Sequence, residues 1–194
     1  MAKTYWIIAG HASEGLGKDY DCGAVAKYHG NQITEAKETR ILRDMVTKEL
    51  IALGCKVRND ESSWNLYKVI NWLSSLVSLN DIAIEFHFNA AIPEAKGVEV
   101  MIPINPSNVE IGLARDIADT ISTILKSPKR KGKHYIEGIK REDESQHHRL
   151  GFMIPKCENV LVETCFISNP YEMESYYTNR ETLAKELAKI ISKY

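Results

Sequence analysis

The chain has 194 residues, 44% of them hydrophobic and 26% charged, enough to bury the core of one ordinary globular domain and short for two. Its formal charge of -1 offers no basic field for a phosphate backbone, so nucleic acid is not an expected partner. Cys22, Cys55, Cys157 and Cys165 include no CxxC pair in a chain long enough to fold without staples, and they read as reduced thiols.

The first residues, MAKTYWIIAGHASEG, hold one lysine and too short an apolar run for a signal peptide. No stretch approaches the ~20 apolar residues of a membrane span. The expectation is a chain made in the cytoplasm, without stable membrane association, that needs some other route out if it acts outside. TYWIIAG (residues 4–10) predicts a buried strand stopped by Gly10. Residues 35–53 set Ile41, Leu42, Met45, Val46, Leu50 and Leu53 at helical spacing, with Gly54 as the stop.

CKVRND (55–60) predicts a second strand and LYKVINWLSSLVSLN (66–80) a second helix. DIAIEFHFNA (81–90) and GVEVMIP (97–103) predict strands, and Asn108–Leu125 an amphipathic helix. SPKRKGKH reads as a loop whose Lys129, Arg130, Lys131 and Lys133 are solvated. REDESQHHR is polar and aperiodic, NVLVETCFISNP predicts the last core strand, ending at Pro170, and a surface helix is expected from about Arg180. The alternation predicts an α/β fold, with no repeat or linker inside residues 1–194.

Two histidines fall at predicted strand ends, His11 after WIIAG and His87 within IEFHFN, where ligand sites of open α/β sheets collect. A lone strand histidine is more often a half-buried side chain bonded to a carbonyl. Glu163 sharpens the case, because a carboxylate inside NVLVETCFI is costly unless paired or given a cation. Glu35 opens the strongest helix, where an acid is favoured by the macrodipole and Thr34 is an available N-cap. Two imidazoles, a carboxylate and a further buried glutamate are together the donor set of zinc hydrolysis. His29, His134, His147 and His148 sit in polar stretches and read as solvated, while Trp64, Trp72 and Phe152 fit either core or groove.

Gly10-His11, Glu35 at a helix start, His87-x-Asn89 and VLVETCFISNP make the chain resemble the zinc-dependent N-acetylmuramoyl-L-alanine amidases of the Amidase_3 type, from Ile7 to about Glu172. DCGAV, residues 21–25, is similar to that family's glycine-rich segment after the first histidine. The resemblance implies a mixed, mostly parallel sheet flanked by helices on both faces, and one catalytic domain over residues 1–194 without a separate wall-binding domain. It implies that His11, Glu35 and His87 bind Zn2+ and that Glu163 is the catalytic acid/base. Glu85 stands where the family commonly has serine, so it is expected, with Asn89, beside the metal shell or on the substrate.

The implied function is zinc-dependent hydrolysis of the amide between N-acetylmuramic acid and L-alanine in peptidoglycan. The expected protein is a monomeric, bacteriolytic enzyme, either a phage or prophage endolysin released through a holin lesion, the favoured reading, or a bacterial enzyme exported by another route. Two alternatives stay open. HASE, residues 11–14, also suits a zinc carboxypeptidase acting on stem peptides through His11, Glu14 and His87, and a catalytically silent wall-binding module is the other.

Overall fold

The structure, a computed structural model, describes residues 3–12 and 20–194; Glu14 therefore lies outside the described residues. Its strands in chain order are β1 (Thr4–Ala9), β2 (Val25–Tyr28), β3 (Asn31–Thr34), β4 (Lys56–Asn59), β5 (Ile82–Asn89), β6 (Glu99–Ile102), β7 (Ile139–Arg141) and β8 (Glu158–Phe166). The helices are α1 (Glu35–Ala52), α2 (Leu66–Leu76), α3 (Asn108–Leu125) and α4 (Pro170–Ile191). A six-stranded sheet runs β4-β1-β5-β8-β6-β7. The first four strands are mutually parallel, β6 is antiparallel to β8, and β7 is parallel to β6. The expected α/β class and mixed, mostly parallel sheet are what the chain adopts.

β1 is buried at every position because strands central to a parallel sheet are covered on both faces. Alternation then sorts the side chains. Tyr5 and Ile7 of β1, Ile82, Ile84, Phe86 and Phe88 of β5, and Val160 and Val162 of β8 join one large core with α1, α3 and α4. Trp6 and Ile8, Ala83, Met101 and Leu161 point the other way into a smaller core closed by Val69 and Leu73 of α2 and by Phe152. Continuing that second face towards the ends of the strands, the same alternation delivers Glu85 and His87 on β5, Glu163 on β8 and Glu99 on β6.

Three elements depart from the sequence expectation. The β2–β3 hairpin turns at His29-Gly30, both with positive φ, and was hidden because four-residue strands carry little periodicity. β7 follows the expected loop SPKRKGKH, in a stretch where the sequence predicted no element, and within that loop Lys129 bridges to Val98 and carries the basic run along the sheet edge. The last helix starts ten residues early. Asn169 caps it by accepting from the backbone N–H groups of Tyr171 (2.9 Å) and Glu172 (3.1 Å), and Pro170 fits the first turn, where its missing N–H costs nothing. Nor is that helix superficial: Met173, Tyr176, Leu183, Leu187 and Ile191 are buried in the large core. Among the described residues, no helix is long and apolar enough to cross a membrane.

Candidate active site

His11, Glu35 and His87 converge at the ends of β1 and β5, each offering a ligand atom within 4.8 Å of the others. His11 follows β1 with φ 69, a left-handed conformation that is uncommon for histidine and marks a held position. Glu35 sits on the thick-core side of the sheet, at the start of α1, and reaches over the strand ends. Thr34 precedes it without making a side-chain cap, so the anticipated capping role is absent and the Glu35 carboxylate instead serves the cluster. Its Oε1 accepts from Phe88 N (3.1 Å) and faces His87 Nδ1 (2.9 Å); its Oε2 accepts from Ala24 N (2.9 Å) and faces His11 Nε2 (3.1 Å).

The outer nitrogen of each imidazole meets another carboxylate. His11 Nδ1 lies 2.8 Å from Asp21 Oδ2, and His87 Nε2 lies 3.3 Å from Glu85 Oε2. An ionised carboxylate only accepts, so doubly protonated rings donate to Glu35 from their inner nitrogens and to Asp21 and Glu85 from their outer ones; a cation held at the inner nitrogens would leave the protons on the outer ones. Three donor groups this close, ringed by Asp21 and Glu85, call for positive charge: two imidazolium protons or one divalent cation. Burial opposes charge on both rings, yet Glu85 and Glu35 raise His87 well above its ordinary range and the Glu35 hydrogen bond raises His11. Burial would push Glu35 up, but hydrogen bonds from His11 and His87 hold it far below the usual carboxylate range.

Two glycines make room for this ring. A Cβ on Gly10 would stand 2.3 Å from His87 Cε1, and one on Gly23, at φ +61, would stand 2.6 Å from Glu35 Oε2. The Thr39 hydroxyl donates to Gly10 O (2.9 Å), tying α1 to the loop that carries His11. The His-Glu-His donor set, its outer carboxylates and its backbone cradle fit a zinc ion.

Glu163 on β8 is the register partner of His87, so their side chains share a face. Its Oε2 is buried and has no hydrogen-bond partner among the described residues. Burial raises its pKa to about 7, with Glu35 and Glu99 adding to the effect against the opposing charge of His87. Asn89 is bonded inward, donating to Glu99 Oε1 (3.1 Å) and accepting from Ala90 N (2.9 Å).

A groove of ≈ 530 Å³ collects His11, Glu35, His87, Glu163, Asn89 and Glu99 with Arg130 and Lys140. On the other side of the histidines, a smaller recess of ≈ 190 Å³ is walled by Trp64, Leu66, Val69, Leu150 and Phe152 beside Glu85. His147, expected to be merely solvated, lines both. Trp72 packs against the small core together with Trp64, and Phe152 is core and wall at once. Arg130, expected in a solvated run, pairs with the buried Glu99. Asp21 was legible only as part of DCGAV, and nothing local in the sequence pointed to Glu99 or Lys140.

Residues 6–193 match the family described as N-acetylmuramoyl-L-alanine amidase (Amidase_3). No curated protein matches the chain. Among solved structures, Cwp6 from Clostridium difficile superposes with a TM-score of 0.77 at 18% identity over 100% of this chain, which spans 29% of Cwp6. A candidate N-acetylmuramoyl-L-alanine amidase from Neisseria meningitidis gives 0.74 at 22% identity over 98% of this chain and 94% of its own. The catalytic domain of CD27L endolysin, which targets Clostridia difficile, gives 0.73 at 21% identity over 98% and 97%. At these identities the likeness establishes a shared fold.

Proposed function

Since the chain belongs to the N-acetylmuramoyl-L-alanine amidase family, we propose that it hydrolyses the amide between N-acetylmuramic acid and L-alanine in peptidoglycan, with zinc held by His11, Glu35 and His87. The observation that carries this reading is the pairing of that three-donor cluster with Glu163, a half-buried acid of the same groove whose Oε2 has no partner among the described residues. Zinc supplies a Lewis acid that polarises the scissile carbonyl and acidifies water. Asp21 and Glu85 fix which nitrogen of each imidazole faces inward, and so keep the donor set in one tautomeric arrangement.

Glu163 moves the proton. Burial raises its pKa and makes it a stronger base than an exposed carboxylate, so its carboxylate can take the proton of an attacking water and its acid can return it to the leaving amine of L-alanine. Gly10 and Gly23 act by staying small, letting the backbone close on the ring and the carboxylate. Bacteriolytic use as an endolysin extends the same reading, with the groove acting on the walls of cells lysed from within.

The test is digestion of purified peptidoglycan by the zinc-loaded and the chelator-stripped protein, with fragments read by mass spectrometry. The expected result is release of stem peptides beginning with L-alanine, lost on chelation and restored by zinc. Shortened stems still joined to muramic acid would move the reading to a carboxypeptidase, and zinc binding without any product would leave a wall-binding module.

A further inference from the structure

Beside the proton-transfer residue, one buried acid gathers two cations. Glu99 on β6 is only 4% exposed and lies in register with Glu163 on β8. Its Oε2 takes both Arg130 Nε at 2.7 Å and Lys140 Nζ at 2.5 Å, and its Oε1 accepts from Asn89. One carboxylate balances one cation, so these three side chains by themselves carry a formal charge of +1, on a groove that Glu144 and Glu163 also line. A buried acid needs only one such partner for its own neutrality, so the second cation can serve another anion in the groove.

Arg130 is also held in place before anything binds. Besides Glu99, it donates from Nη1 to Lys96 O (3.4 Å), and its guanidinium lies 5.0 Å from the centre of the Phe166 ring, another wall of the groove. A planar fork fixed in this way suits a carboxylate and loses little further freedom on binding one. On the opposite side of the histidines, the recess walled by Trp64, Leu66 and Val69 is mostly apolar and contains neither Arg130 nor Lys140. The two flanks of the centre therefore differ in kind, charged and holding two convergent cations towards β7, aromatic and apolar towards α2.

Resting on the amidase reading, we propose that Arg130 and Lys140 bind a free carboxylate of the stem peptide, with Glu99 as the positioning residue that gathers them. The stem then lies towards β7 and the muramoyl sugar towards Trp64. This direction agrees with the chemistry, because the leaving amine belongs to the stem and Glu163, which returns its proton, stands next to Glu99 on the β7 flank. The acid that suits the pair is the α-carboxylate of a γ-linked glutamate following the first alanine, close enough to the scissile amide to reach the same groove.

Two synthetic substrates, N-acetylmuramoyl-L-alanyl-D-isoglutamate and its α-carboxamide, separate the outcomes when assayed with the zinc-loaded protein. The native protein is expected to prefer the acid by on the order of 10- to 100-fold in kcat/KM, the range of a hydrogen bond to a charged group. Arg130→Met is expected to bring that ratio to about one, and Arg130→Lys to restore part of it. Equal kcat/KM on the two substrates in the native protein overturns the carboxylate site and leaves the amidase reading standing. A ratio unchanged in Arg130→Met, with both rates lowered together, overturns it in favour of a purely structural Arg130. Cleavage of neither substrate overturns the amidase reading and this proposal with it.

Discussion

The two faces of the sheet use the same alternating strands to opposite ends. The face under α1, α3 and α4 is apolar along its whole length, from Ile82 through Phe88 on β5 and from Val160 to Val162 on β8. The other face is apolar only where α2 and residues 151–153 cover it; beyond Ala83 and Leu161 it turns to Glu85, His87 and Glu163. Where buried charge occurs at the thick face, the chain neutralises it itself: Arg43 of α1 donates to Asp60 Oδ1 at 2.8 Å, and Asp60 also accepts from Ala9 N at 3.1 Å. The thin face concentrates acids around two imidazoles and leaves the balance to a cation. Burial of charge is structural in the first case and chemical in the second, and the difference lies in whether the fold supplies the counter-charge.

Five substitutions probe this contrast, the largest effect first. Glu163→Gln keeps the shape of the thin face and removes the proton carrier; kcat on peptidoglycan is expected to fall by ~10²–10⁴-fold while zinc content and the thermal midpoint hold. Turnover within a few-fold of the native protein would sink the role of Glu163. On the thick face, Asp60→Ala leaves Arg43 with Asp44 and the main-chain carbonyl of residue 60 but removes its buried carboxylate partner and the acceptor of Ala9 N, and is expected to cost ~1–3 kcal/mol in urea unfolding, by the same amount with zinc present or chelated. If zinc rescued that loss, the two clusters would not be independent.

Asp21→Asn and Glu85→Gln leave the three inner donors in place but loosen the tautomer of one ring each. Zinc affinity, followed by competition with a chelating dye, is expected to drop ~10–100-fold for each. An unchanged affinity would reduce these carboxylates to bystanders.

The smallest effect concerns acid stability. Asp81 is buried at the start of β5; burial alone would raise its pKa, but hydrogen bonds from Ser78 N, Thr4 N and Trp6 Nε1 leave it lowered. A folded pKa below the unfolded one means the unfolded chain binds the extra proton, so this contribution is complete above the ordinary aspartate value near ~4 and fades as pH falls through the folded pKa. In urea titrations run from pH 6 downward, Asp81→Asn should be less stable at pH 6 and converge on the native protein in acid. A gap that stays constant with pH would show that the charge of Asp81 is not what holds β1 to the turn.

The elements legible in the sequence were those with a long period. Residues 35–53 and Asn108–Leu125 hold enough turns to show an apolar stripe, and the uninterrupted apolar runs of β1, β5 and β8 announced buried parallel strands. His87 and Glu163 were legible for a related reason: a histidine or glutamate stands out in an apolar run because it is costly there, whereas His11 was marked by its place at a strand end and Glu35, ordinary at a helix start, only by the family resemblance. Short edge pieces gave no such contrast. The β2–β3 hairpin, β7 and the first turns of α4 depend on partners distant in sequence, and Asn169-Pro170 reads equally as a stop and as a helix start.

By itself, then, the sequence determined the fold class and marked His87 and Glu163 as out of place in their local surroundings, since burial patterns and misplaced charges are properties of single segments. Only the tertiary structure decided which charges meet. Asp21 reaching His11, Glu85 sharing a ring with Glu35, and Arg130 and Lys140 converging on Glu99 are contacts between segments 10 to more than 50 residues apart. No periodicity encodes them, because they are set by strand order and register and by where α1 crosses the ends of β1 and β5.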